Sequence, residues 1–166
     1  MTANIAPGRL VVSRHSLANL DIPFWARSAG ISDTMVLDCE PVHHVGRIQV
    51  GVSITHPCRG QLGITLTSPS GRTALLKLVD LTDERADVIG VFPHSLVAPC
   101  DLDSAFRGDH VRGAWSLEVA DILGVDGAAP GRLNGWSLTI EAAAGPRVAI
   151  AGHRPRARAA PGLSAP

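Results

Sequence analysis

The chain has 166 residues, 45% hydrophobic but only 4% aromatic and without tyrosine, so one domain is expected with a core mainly of valine, leucine and isoleucine. No apolar run approaches the about 20 residues that a membrane span needs. The formal charge is zero, yet residues 1–144 carry eleven basic and fifteen acidic side chains once Arg147, Arg154, Arg156 and Arg158 are set aside, a net of −4 that suits a cation better than nucleic acid.

Residues 1–20 do not read as a secretory signal, because Arg9, Arg14 and His15 interrupt them and Leu10-Val11-Val12 is too short an apolar region. Residues 1–21 form an N-terminal segment with one possible strand, Arg9–Ser13. Thr34–Asp38 is a better second strand. Arg47–Thr55 is clearer still, since Ile48, Val50, Val52 and Ile54 alternate with Gln49, Gly51, Ser53 and Thr55. Leu62–Thr67 follows, with Leu66 directed to the core, and Ser68-Pro69-Ser70-Gly71 makes a tight turn. Thr73–Val79 reads as a more fully apolar, interior strand, and Val88–Phe92 as the next.

Two Trp-led strands close the series. Trp115, Leu117 and Val119 share one face, opposite Ser116, Glu118 and Ala120; Trp136, Leu138 and Ile140 repeat the arrangement. Trp115, Trp136, Leu66 and Ile54 are the expected core anchors. Asn134-Gly135, a strong turn dipeptide, is expected to form the tight turn that starts the last strand. Seventeen Gly, twelve Pro and no amphipathic helix indicate an all-β sandwich. Residues 145–166, rich in Ala, Pro and Arg, read as a disordered tail or linker.

The order of S-I-T-H-P-C-R-G-Q-L-G-I-T-L-T-S-P-S-G (Ser53–Gly71), then G-A-W-S-L-E-V-A-D (Gly113–Asp121), then G-R-L-N-G-W-S-L (Gly131–Leu138) resembles the P domain, or Homo B domain, of subtilisin-like proprotein convertases. The likeness runs from about Ile22 to Ala142, within an expected domain of 22–144. It implies a jelly-roll-like sandwich of about eight strands and a non-catalytic accessory role. In that family the domain packs against a subtilisin-like protease domain and stabilises it.

Several constellations invite chemistry. The G-T-S-x-(S/A)-x-P and H-G-T-H-type segments that carry a subtilisin triad do not occur, so no catalytic residue is assigned. His43, His44, His56 and Cys58 assemble on paper into a zinc site, but their spacing fits no common zinc pattern. Calcium is the cofactor that the resemblance implies. Asp121, Gly124, Asp126 and Gly127 fall where the family has D-x-x-x-G-D-x-G, and Asp121 and Asp126 are the candidate ligands. The loop here is longer by about four residues, and two acidic positions of the family pattern are Gln61 and Phe24 instead. Arg107-Gly108-Asp109 spells a tripeptide read by integrin-type receptors, in a position where the family has an ordinary loop. Cys39, Cys58 and Cys100 are odd in number, and buried free thiols are the simplest reading.

A protease domain or another protein is thus the expected partner. A free-standing module that binds a protein or carbohydrate is the alternative. The family usually works outside the cytosol, while no signal peptide is visible, and the compartment stays open.

Overall fold

The computed structural model describes residues 2–6, 9–23, 30–39, 43–123 and 130–144. Among them are ten strands: β1 (Thr2–Ala6), β2 (Arg9–Ser16), β3 (Leu20–Ile22), β4 (Ile31–Leu37), β5 (His43–Thr55), β6 (Leu62–Thr67), β7 (Thr73–Lys77), β8 (Val88–Phe92), β9 (Gly113–Asp121) and β10 (Gly131–Ala144). A short helix, α1 (Leu102–Phe106), precedes β9. The strands form two antiparallel sheets packed as a sandwich. One runs β1-β2-β10-β5-β8, with β3 also paired to β10; the other runs β4-β9-β6-β7.

The alternating pattern explains which side chains meet between the sheets. Trp115, Leu117 and Val119 of β9 are 0% exposed, and Ile64 and Leu66 of the neighbouring β6 lie equally deep. From the other sheet come Val50, Val52 and Ile54 of β5 with Trp136, Leu138 and Ile140 of β10. Trp115 and Trp136 therefore stand in facing sheets. Phe106 of α1 meets Trp115 edge to face, with centroids 5.3 Å apart. Each indole N–H also finds an acceptor, as a buried one must. Trp115 donates to Val111 O at 3.0 Å, and Trp136 donates across the sandwich to Asp33 Oδ2 at 2.7 Å. Ser16 Oγ of β2 donates to the same oxygen at 2.5 Å, so Asp33 of β4 is a polar tie between the sheets.

Three expectations need correction. Asn134 and Gly135 do not turn the chain; they lie inside β10, where the pairing slips between Leu133↔Ile54 and Gly135↔Ser53. Asn134 is the extra residue of a β-bulge, and its Nδ2 donates to Thr55 Oγ1 at 2.9 Å. The bulge re-phases the alternation so that Leu133 and Trp136, three residues apart, both face inward. Gly135 has no left-handed φ, but a Cβ there would lie 2.6 Å from Ser16 O, so the position excludes a side chain by proximity. A matching slip between Glu141 and Ala142 makes Gly46 the extra residue on β5, which brings Val45 and Ile48 to the same face.

The second correction is β7, an edge strand rather than an interior one, with Leu78 beyond it 57% exposed. The third concerns the N-terminal segment. It contributes β1, β2 and the start of β3 to the larger sheet, with β2 paired to β10 over Trp136↔Ser16 to Ala143↔Arg9. The sandwich thus begins upstream of residue 22. Residues 145–166 lie outside the described residues.

Candidate functional site

The polar residues singled out by sequence gather at opposite ends of the sandwich. At one end, β5 finishes at Thr55 and β9 finishes at Asp121. Extended strands direct both His56 and Asp121 inward, where they are 2% and 1% exposed. His56 Nε2 lies 3.2 Å from Asp121 Oδ2, and the other carboxylate oxygen accepts from Leu123 N at 3.2 Å. On the far side of the ring, Nδ1 faces Cys58 N at 3.1 Å and Cys58 O at 2.8 Å. A neutral ring donates from Nε2 to Asp121 and accepts from Cys58 N; a protonated one donates at both nitrogens. Asp87, in the left-handed region at φ 56°, accepts from His56 N at 2.9 Å and donates its own N–H to His56 O at 2.9 Å, tying β5 to the start of β8.

Among the described residues no group of three or more His, Cys, Asp or Glu side chains could hold a metal ion. Asp121 is already engaged at both oxygens by protein donors. Gly124, Asp126 and Gly127 lie outside the described residues. The described residues therefore do not by themselves make up the calcium site suggested by the loop. The zinc grouping is separated by the length of β5. His43 and His44 begin that strand and His56 follows its end, roughly 40 Å apart at about 3.3 Å per residue.

At the opposite end, Ser68-Pro69-Ser70-Gly71 forms the β6–β7 turn. Gly71 N donates to Ser68 O at 2.9 Å, and Gly71 has φ 84°, a conformation that glycine adopts without penalty. Asp109 holds this turn to the loop after α1. Its Oδ2 accepts from Ser68 Oγ at 2.5 Å and Ser70 Oγ at 2.8 Å, and Arg72 Nη1 lies 3.2 Å from Oδ1. At 4% exposed, Asp109 is committed internally, so Arg107-Gly108-Asp109 cannot present its carboxylate to a receptor.

No two of the three cysteines are joined by a disulfide. Cys39 and Cys58 are partly exposed and Cys100 is exposed, so the expectation of buried thiols does not hold. Cys100 stands over the edge of β7, with Sγ 3.5 Å from Leu75 O.

Sequence reasoning passed over Asp33, Asp87 and a charged group beside the β7–β8 loop. There Asp83 sits between Arg59 Nε and Arg85 Nε, each at 2.8 Å. Hydrogen bonds from Arg85, then from Arg59, hold its carboxyl well below the usual carboxylate range. The signal in sequence was only D-x-x-D-x-R between two strands, too common to single out.

The comparisons with known proteins agree with this architecture. The family model of the proprotein convertase P-domain matches residues 45–140, more than half of the chain. The chain belongs to the P-domain family. Proprotein convertase subtilisin/kexin type 5 of Rattus norvegicus is 33% identical over 119 residues, which cover 69% of this chain but 6% of that protein. The transglutaminase-activating metalloprotease of Streptomyces mobaraensis is 35% identical over 92 residues, 55% of this chain and 10% of the relative. The chain therefore spans only a small part of the curated relatives it matches. Among solved structures, a serine protease of Aeromonas sobria shares the fold with a TM-score of 0.54 at 19% identity, over 83% of this chain and 28% of that one.

Proposed function

We propose that this P domain is a non-catalytic accessory domain that docks on a subtilisin-like serine protease and stabilises it. The observation that carries the reading is the family match over residues 45–140, which takes in β5 to β10 and hence most of both sheets.

Two features support the non-catalytic half. A triad needs a nucleophile within hydrogen-bond reach of its base. His56 with Asp121 comes nearest to a base and its orienting carboxylate, but the pair is buried and the second ring nitrogen faces Cys58 rather than a serine. Moreover, similar stretches lie in a subtilisin/kexin-type convertase and in a metalloprotease. Those two catalytic chemistries share no reacting group, so what one module offers to both is packing and support.

Mixing the purified chain with a subtilisin-like catalytic domain that lacks a P domain tests the proposal. A ligand of the folded state at a hundred times its Kd adds about 2.7 kcal/mol of apparent stability, so thermal inactivation of the protease should slow. The chain alone should leave peptide substrates intact. Cleavage blocked by a serine-directed inhibitor would overturn the non-catalytic half, and unchanged inactivation at saturating chain would overturn the docking half.

A further inference from the structure

β8 ends the larger sheet and β7 ends the smaller one. The segments that follow these edge strands enclose a cleft of about 700 Å³. This lies within the range of volumes that proteins use for ligands. Val88, Phe92 and Leu96 form an apolar wall, with Phe92 and Val88 only 2% exposed. Leu78, Ile89 and Val97 also line it, and they are 57%, 65% and 89% exposed. Large aliphatic side chains gathered at one opening are the surface a partner covers.

Apart from Ser95 and Pro99 the rest of the lining is charged, with Arg59, Lys77 and Arg85 against Asp80 and Asp83, an excess of one positive charge (three less two). That excess stands out on a body with a net charge of −4. Asp83 is already held between the two guanidinium groups. Lys77 differs: its ammonium donates to two backbone carbonyls, Leu62 O at 3.1 Å and Leu78 O at 3.0 Å. Burial pushes its pKa below the ordinary value. Asp83 and Asp80 offset part of that burial at a distance. An ammonium has three donors, so by count one N–H is left over from the two carbonyls, and an anion in direct contact there would offset more of it.

Strand addition at this point of β8 is blocked. Val91 N donates to Ser95 Oγ at 2.8 Å, and Val91 O accepts from Ser95 N at 2.9 Å and Leu96 N at 3.1 Å. Whatever enters is read by its side chains rather than by its backbone ladder.

We propose that this cleft binds an extended segment of a partner protein that carries an aliphatic side chain next to a carboxylate. The aliphatic group packs on Leu78, Leu96 and Val97 above the buried Phe92, and the carboxylate takes the remaining N–H of Lys77. A nucleic acid would bring the charge without the apolar group, and a basic segment would be repelled. The inference stands whether or not the partner is a protease.

The test is fluorescence anisotropy of the full chain with a fluorescein-labelled peptide containing Leu-Val-Asp-Leu between glycines, beside the same peptide with asparagine for aspartate. Saturable binding is expected for the first, with affinity about tenfold lower for the asparagine peptide and for Lys77→Met, the loss of one charge-assisted hydrogen bond. Val97→Asp, at a side chain already in solvent, should keep the wild-type melting temperature and also lose binding. Equal affinity for the two peptides, unchanged affinity in both variants, or no binding of either peptide at millimolar chain would overturn the proposal. So would a concentration-dependent dimer abolished by Val97→Asp, which would assign the cleft to a second copy of the chain.

Discussion

The two ends of the sandwich are each tied by a buried aspartate, but with different partners. Asp121 meets a single imidazole that is itself buried, so both halves of the contact are out of water. Asp109 meets two serine hydroxyls and an arginine that is 56% exposed, so part of its contact stays hydrated. The first joins the ends of β5 and β9, and the second joins a hairpin turn to the loop after α1. Each lies in a stretch that reads as a ligand motif, a calcium loop in one case and an adhesion tripeptide in the other. In both, the carboxylate is used to hold loops that have no sheet of their own.

The largest expected effect sharpens the Asp109 end, because its loop also carries Val111, the acceptor for Trp115. Trp115→Ala removes a fully buried ring together with its contact to Phe106, and should cost about 3–5 kcal/mol in denaturant unfolding. A cost below about 1 kcal/mol would mean that the loop, not the indole, holds that end. Next comes the direct comparison. Asp121→Ala leaves His56 Nε2 buried with no acceptor and should cost about 3 kcal/mol, whereas Asp109→Ala leaves only Ser68 fully buried and should cost about 1–2 kcal/mol. The sites are roughly 26 Å apart along β9 at about 3.3 Å per residue, so the double variant should equal the sum within about 0.5 kcal/mol. Reversal of the order, or marked non-additivity, would break the comparison.

How much of this was legible follows from how local each feature is. β6 has the bounds its alternation suggests, because a half-buried strand writes its period directly into sequence; β8 also has the expected bounds, though its burial does not alternate. β3 is only three residues long and takes its identity from β10, more than a hundred residues away, whereas β1 pairs with the adjacent β2. α1 did leave a local sign. Asp101 caps it, accepting from Asp103 N at 3.1 Å, in a D-L-D-S-A-F run that a search for capping residues could have caught. Asn134-Gly135 shows the reverse case. The local turn preference is real, but pairing of β10 with β5 on one side and with β3 and then β2 on the other leaves only a bulge for it to form. The cleft between β7 and β8 had no signature, since it exists only where two edge strands from different sheets end side by side.

A smaller effect separates the two uses that Asp121 could have. If its oxygens are committed to His56 and Leu123, Asp121→Ala should lower the melting temperature by the same amount in millimolar calcium and in chelator. A melting temperature that rises with calcium in the wild type, and not in Asp121→Asn, would instead assign the carboxylate to an ion held with residues 124–129.

The smallest effect extends the comparison to a third aspartate, one that is part-buried beside an exposed arginine. Asp83 is flanked by two arginines, and its carboxyl is held below the usual range mainly by the Arg85 hydrogen bond. A carboxyl whose folded pKa is depressed contributes stability that is present above its unfolded value, about 4, and is lost as pH falls toward the folded value. Asp83→Asn should therefore melt slightly below wild type at pH 7, and the gap should narrow only below about pH 4. Surface pairs are screened by salt, so the gap should also shrink in 1 M sodium chloride. For Asp121→Asn, whose partner is buried, salt should leave the gap nearly unchanged. If the Asp83 gap resists salt as well, the arginine clamp behaves as part of the interior, and the cleft it borders is drier than its exposed rim suggests.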